Sequence, residues 1–178
     1  MELKMANKTF PDGATHRRYD VHGEREQWLA TVFLGAEGIF STVSDYGNYG
    51  YWWTAIGGDG DIRRFLLNSE RDPGYFRCKF DSSTEYDGAA TERWIRKHII
   101  DQRRRGALTK ERAREEWEIA GYALSDFRDW VDATEMDIYP GDFYCDRPNP
   151  QAVAFVEKVM PRLCEMLRAE MAAEKVAA

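Results

Sequence analysis

The sequence predicts an α+β fold in which an N-terminal antiparallel sheet of three to four strands is packed by three to four C-terminal helices. Residues 15–54 are rich in β-branched and aromatic side chains that alternate with polar ones, which is typical of strands. Residues 60–175 instead carry apolar side chains spaced three and four apart, which is typical of helices. The 178 residues can bury a substantial core, so we predict a single domain, 1–178, with an irregular lead-in over residues 1–14.

The predicted sheet is a meander that ends in an aromatic hairpin. Its strands fall near residues 17–21, 28–34 and 39–44, followed by a return strand. Residues 40–53 hold six aromatic rings around a tight turn. The alternation of side chains places Tyr49, Tyr51 and Trp53 on one face of the return strand and Trp52 on the other.

Capping residues and apolar spacing define the predicted helices. They are a short helix capped by Asp59 or Asp61, a helix over about residues 90–105, a helix that begins after the Thr109 cap, and a last helix opened by Asn149 and Pro150. Apolar residues spaced 4-3-4 from Ala113 to Val131 indicate one continuous packing seam. Residues 75–80 fit either a strand or a helical turn. Pro161 is expected to kink or restart the last helix, because it cannot donate a backbone hydrogen bond.

The rings of the hairpin are compatible with two kinds of binding and with a purely structural role. In the first interpretation, Tyr46, Tyr49, Tyr51 and Trp52 contact a protein partner, since aromatic side chains are enriched in interfaces. In the second, the hairpin stacks on a nucleotide or another small molecule. The further side chains of that ligand site would be Trp53, Arg63, Arg64 and Arg77. In the structural interpretation, one ring-bearing face simply packs under the helices.

Charge is distributed unevenly along the chain, whose net charge is −6. Residues 61–114 contain 14 Lys or Arg against nine Asp or Glu, whereas residues 115–146 contain one Arg against ten Asp or Glu. Two oppositely charged helix faces can simply attract each other. Alternatively, the acidic segment steers the protein toward a basic partner surface. The contact residues in that case are Asp126, Asp129, Asp132 and Glu135.

The sequence offers no catalytic constellation, so we expect a binding protein and not an enzyme. Three cysteines without a C-x-x-C pair argue against a disulfide framework and against a zinc ribbon. We expect no cofactor and no metal, although a metal-dependent hydrolase built on the acidic residues is a minor alternative. The overall negative charge argues against direct nucleic-acid binding. No apolar run is long enough for a membrane span and the N-terminus lacks an apolar secretion segment, so we expect a cytoplasmic location.

Four segments together resemble a family of small uncharacterised proteins encoded by bacteriophages and prophages. They are S-D-Y-G-N-Y-G-Y-W-W (44–53), D-I-R-R-F-L-L (61–67), Y-F-R-C-K-F (75–80) and R-R-R-G-A-L-T-K-E-R-A-R-E-E-W (103–117). The resemblance implies an accessory protein that binds and blocks host machinery. The host machinery that the resemblance implies includes nucleic-acid-targeting defence complexes, as for anti-CRISPR or anti-restriction inhibitors. It implies no catalytic residues.

Overall fold

The computed structural model describes residues 8–177, so residues 1–7 of the predicted lead-in lie outside the described part of the chain. The strands are β1 (His16–His22), β2 (Trp28–Gly35), β3 (Ile39–Ser44), β4 (Tyr49–Trp52), β5 (Thr84–Tyr86) and β6 (Asp146–Pro148). The α-helices are α1 (Ile62–Ser69), α2 (Pro73–Phe80), α3 (Gly88–Arg104), α4 (Lys110–Ile119), α5 (Phe127–Ala133), α6 (Pro150–Lys158) and α7 (Met160–Ala177). The predicted α+β class is confirmed.

The chain divides into two compact units, where the sequence suggested one domain. The first unit contains the residues up to Ser83 together with the segment from Asn149 onward. The second unit is Thr84–Pro148, an insertion between α2 and α6. Each unit has its own cluster of buried apolar side chains. The helices therefore do not all cover the N-terminal sheet, because α3, α4 and α5 enclose a separate core.

The first unit is built on a four-stranded antiparallel meander in the order β1-β2-β3-β4. One face of this sheet is buried and carries Val21, Val32, Leu34 and Phe40, each at most 1% exposed. Helix α7 packs against β1, and α2 packs against β4. Because successive side chains of a strand point to opposite faces, the side chains between these buried ones lie on the other face of the sheet, which is open to solvent.

Local sequence signals set the helix ends of the first unit. The Asp61 carboxylate accepts a hydrogen bond from the backbone N–H of Arg63 and caps α1. Residues 75–80, which fitted either element, lie in α2, where Pro73 occupies the first turn. Asn149 caps α6 as predicted. The last helical segment restarts as α7 at Met160, next to Pro161, which confirms the predicted interruption.

The second unit packs α3, α4 and α5 around a small core. Its buried apolar residues are Ile95, Ile99, Ala120, Ala123, Trp130 and Phe143. Thr109 caps α4 through its hydroxyl, as predicted. The predicted continuous seam from Ala113 to Val131 is wrong, because α4 ends at Ile119 and a 3-10 turn separates it from α5. The Asp126 carboxylate accepts from the Arg128 N–H and starts the new helix.

Candidate docking surfaces

The aromatic hairpin divides its rings between the core and the solvent. Tyr49 is 9% exposed and its ring lies 4.8 Å from that of Phe155, while its hydroxyl donates to the Tyr46 carbonyl over 2.6 Å. Trp52, on the opposite face of β4, is 56% exposed. Of the four hairpin rings predicted to meet a partner, Tyr49 is therefore enclosed by its own chain, and Trp52 is open.

Tyr46 and Tyr51 are half-buried, and each lies beneath a lysine. The Lys158 Nζ lies 5.3 Å from the centre of the Tyr46 ring, and the Lys79 Nζ lies 5.2 Å from that of Tyr51. These cation–π contacts occupy one face of each ring. One face of each ring is therefore already occupied while the lysines stay in place.

The solvent side of the sheet carries four apolar side chains, and we call it the open sheet face. They are Trp28, Phe33, Val43 and Trp52, which are between 37% and 56% exposed. The Trp28 Nε1 donates to Thr31 Oγ1, and the Trp52 Nε1 donates to the Glu37 carbonyl, so both indoles are held in place. Sequence reasoning missed the first three. Phe33 and Val43 alternate with core-facing neighbours, and this signal could have identified them once the buried face was known. Trp28 could not be found in this way, because an irregularity in the pairing of β1 with β2 interrupts the alternation between Trp28 and Ala30.

The acidic segment of the second unit presents most of its carboxylates to solvent. Nine of its ten Asp and Glu residues are exposed, the exception being Glu116. We define the acidic surface by Asp126, Asp129, Asp132, Glu135 and Asp137. Because Asp129 and Asp132 are three residues apart on α5, their side chains lie on the same side of the helix.

The carboxylates of the acidic surface differ in whether they form hydrogen bonds or ion pairs within the protein. Asp126 is committed to capping α5, and a Glu135 oxygen lies 2.9 Å from the guanidinium of Arg112. Asp129, Asp132 and Asp137 form no ion pair with any residue in the described range 8–177. These three carboxylates are therefore the part of the surface left available to another molecule.

Glu116 is fully buried and has a structural position that the sequence did not suggest. Its carboxylate accepts hydrogen bonds from Arg112 and from the Thr134 hydroxyl, both over 2.7 Å, and from the Glu135 N–H over 3.2 Å. These bonds attach α4 to the segment that follows α5. Glu116 thus fixes the backbone that carries Glu135.

The side chains predicted for a nucleotide site are not assembled into an open site. Trp53 is 5% exposed, and its Nε1 donates to the Tyr75 hydroxyl over 2.7 Å. The Arg63 side chain is only 1% exposed and is engaged by carboxylates, while Arg64 is exposed and pairs with Asp59 over 2.7 Å. Arg77 is half-buried on α2. A base-stacking ligand would therefore have to displace Trp53 and Arg63 from contacts inside the protein.

Among residues 8–177, no group of three or more His, Cys, Asp or Glu side chains could hold a metal ion. The three cysteines are free thiols. Cys164 is buried in the first unit, and its burial raises the pKa of the thiol to about 12. Cys78 is exposed, and Cys145 is half-buried. Within the same residues, every helix is too short or too polar to cross a bilayer.

Comparison with known proteins places the chain among proteins of bacteriophages. A family model described as a phage family matches residues 12–169, which is most of the chain. The chain belongs to this family, Phage_phiTE_072. Searches of curated proteins and of solved structures returned no significant match.

Proposed function

We propose that this phage protein is a binding protein, not an enzyme, that acts in the cytoplasm of the host. Its acidic surface docks on the basic surface of a host protein or protein–nucleic-acid complex and blocks it. The observation that carries the proposal is the exposure of Asp129, Asp132 and Asp137 without internal cation partners among the described residues. A docking surface needs exposed charge that is complementary to its partner, and these carboxylates can supply it.

The electrostatic reasoning favours a cationic partner. The helix dipole favours Asp129 in the first turn of α5, but its repulsion from Asp132, three residues away, opposes this by about 0.2–0.5 kcal/mol. The attraction to a cationic partner would offset this repulsion and would accelerate association. Exposed charges are screened over about 8 Å at physiological salt, so the attraction acts at close approach.

A nucleic-acid-targeting defence complex is the class of host partner that we favour. Such complexes hold DNA or RNA in grooves lined by Lys and Arg, and these grooves are complementary to the acidic surface. Membership of a phage family supplies the biological setting, since a phage gains from blocking such a complex. Trp52 on the open sheet face is a candidate for a second, apolar anchor.

Capture from host lysate combined with a charge-reversal variant tests the proposal. The variant Asp129→Lys, Asp132→Lys and Asp137→Lys leaves the Asp126 cap intact. Its matched control, Glu24→Lys, Glu157→Lys and Glu165→Lys, makes the same change in net charge at exposed sites of the first unit. Nuclease treatment of the lysate removes partners that are bridged only by nucleic acid.

The expected result is a host complex that the wild type and the control retain and the acidic-surface variant loses. On host strains with a defined CRISPR or restriction system, the wild type and the control should protect the phage and raise its plating efficiency. The acidic-surface variant should give no such protection. Equal capture by all three proteins would reject the role of the acidic surface. Capture without any effect on plating would reject the defence target but keep the docking surface.

A further inference from the structure

The second unit contains a groove between α3 and α4 whose charge is opposite to that of the acidic surface. Its volume is about 330 Å³, and it is lined by the last two turns of α3 and by α4. Its apolar lining comes from Ile99, Ile100, Ala113 and Trp117. All the residues that line it lie within Thr84–Pro148, so the groove belongs to one unit.

The floor of the groove is apolar and only partly covered. Ile99 is buried at 2% exposure, but Ile100 is 39% exposed and Trp117 is 36% exposed. The sequence placed Trp117 in a continuous packing seam, yet its indole lies beneath the Arg96 guanidinium at 4.8 Å from the ring centre. The floor thus presents an aliphatic side chain and an indole that the unit itself does not enclose.

The rim of the groove is strongly basic. It carries Arg103, Arg104, Lys110 and Arg114 against the single acidic residue Glu118. Arg104 approaches Asp101 only to 3.8 Å, and Arg103 makes a long 3.5 Å hydrogen bond to a backbone carbonyl. Among the described residues, Lys110 and Arg114 form no ion pair. Most of the positive charge on the rim is therefore free to meet an anionic ligand.

We propose that this groove binds a short acidic, amphipathic peptide segment of a partner protein. One or two apolar side chains of the segment fill the recess over Ile100 and Trp117. Flanking Asp or Glu side chains meet Arg103 and Arg114. A helix or extended peptide docked in this way uses an apolar anchor for affinity and charge for orientation.

The size and chemistry of the recess favour a peptide over a nucleic acid. The volume lies near the lower end of the roughly 300–1,000 Å³ range of ligand pockets, which suits one or two side chains. A nucleic-acid strand would need ring faces for stacking along a charged track. The concave floor instead offers Ile100 and Ala113 beside a single indole that already lies under Arg96. Phosphates would satisfy the rim but would leave this floor unfilled.

Selection from a displayed library of random peptides tests the inference. Peptides of about 12 residues are long enough for three helical turns. We expect the full-length protein to enrich peptides that combine Leu, Ile, Phe or Trp with neighbouring Asp or Glu. Affinities of synthetic enriched peptides are then measured by fluorescence anisotropy, with a single-stranded oligonucleotide as the competing probe.

Two groove variants and one control decide the outcome. The rim variant Arg103→Glu with Arg114→Glu and the floor variant Ile100→Asp should each weaken peptide binding at least about tenfold. The control Arg93→Glu with Arg128→Glu changes the same charge at exposed positions outside the groove and should bind like wild type. Since all five residues are exposed, circular dichroism and thermal melting should show that each variant folds.

Three results would overturn the inference. The first is that the enriched peptides lack Asp and Glu, and the second is that peptide binding is unchanged in Ile100→Asp. The third is that the oligonucleotide binds through the basic rim, while Ile100→Asp weakens the binding of no peptide. The test is independent of the acidic surface. The variant with Asp129, Asp132 and Asp137 reversed to Lys should keep peptide binding, even where it loses the host complex.

Discussion

Arg63 and Glu174 lie 111 residues apart in the chain, and their side chains meet at 2.7 Å. The Arg63 guanidinium, with a side chain only 1% exposed, also donates to Asp61 and to Glu170. Arg17 on β1 reaches the same two glutamates of α7. The buried Arg63 thus joins α1 to α7, and Arg17 joins the same two glutamates to β1.

Removing the buried guanidinium should destabilise the first unit. We expect Arg63→Met to lower the free energy of unfolding by about 3 kcal/mol, because it leaves partly buried carboxylates without their main cation. Within residues 8–177, the exposed neighbour Arg64 pairs only with Asp59, so Arg64→Met should cost less than about 1 kcal/mol. Urea denaturation of both variants measures the difference. Equal midpoints would show that the Arg63 cluster adds no stability.

Acid should weaken the same cluster. Hydrogen bonding to Arg63 holds the pKa of Glu174 below its ordinary value of 4.5. Burial alone would raise the pKa of Asp61, but its hydrogen bonds with Arg63 outweigh this effect and hold it below 3.8. A carboxylate with a lowered pKa in the folded state stabilises the protein above its unfolded pKa. That contribution is lost as the pH falls through the folded value.

The pH window for this effect therefore lies below 4.5. We expect the urea midpoint to fall as the pH is lowered from about 6 to about 3, and to fall less in Glu174→Gln, which has lost one of the titrating groups. A midpoint that is flat over this range, or that falls equally in both proteins, would contradict the lowered pKa of Glu174.

The two neighbouring tryptophans of the hairpin should differ strongly in how much stability each substitution costs. Trp53 is buried among Phe40, Phe65 and Phe80, so Trp53→Ala should cost about 3–5 kcal/mol. Trp52 is 56% exposed, and Trp52→Ala should cost less than about 1 kcal/mol. Thermal and urea unfolding measure both. A large loss in Trp52→Ala would mean that the open sheet face contributes to folding and is not simply available surface.

Glu116 should be essential for the local structure of the second unit. Glu116→Ala removes the acceptor for Thr134 and the Glu135 N–H, and we expect it to cost about 2–3 kcal/mol. The exposed Glu115→Ala serves as its control and should be nearly neutral. Hydrogen exchange should show faster exchange of the Glu135 amide only in Glu116→Ala. Unchanged exchange there would contradict the bonding of this carboxylate.

The sheet could be predicted from the sequence because its signals are local. Alternating side chains and glycine turns locate β2, β3 and the hairpin within short windows. The Thr109 and Asn149 caps could also be predicted, and the cap of α1 could be narrowed to Asp59 or Asp61, since each cap depends on a few neighbouring residues.

The second unit could not be predicted because its boundary depends on contacts between distant residues. Strands β5 and β6 have three residues each and are held by pairs such as Glu85 with Arg147, 62 residues apart. Their sequences, T-E-Y and D-R-P, carry no alternating pattern.

The role of Arg63 depends on distant contacts in the same way. The sequence suggested that Arg63 belongs to a nucleotide or small-molecule site, but its side chain is bound by Glu170 and Glu174, which come from the far end of the chain. No local pattern around α1 indicates that the guanidinium is already paired.

The affinity of the purified protein for the host complex that it captures tests the acidic surface most directly. Biolayer interferometry would compare wild type, the acidic-surface variant and its charge-matched control at low and physiological salt. We expect the Kd to rise at least about tenfold in the variant with Asp129, Asp132 and Asp137 reversed to Lys, with the control close to wild type. Equal affinities for all three proteins, or binding that is insensitive to salt, would contradict docking through these carboxylates.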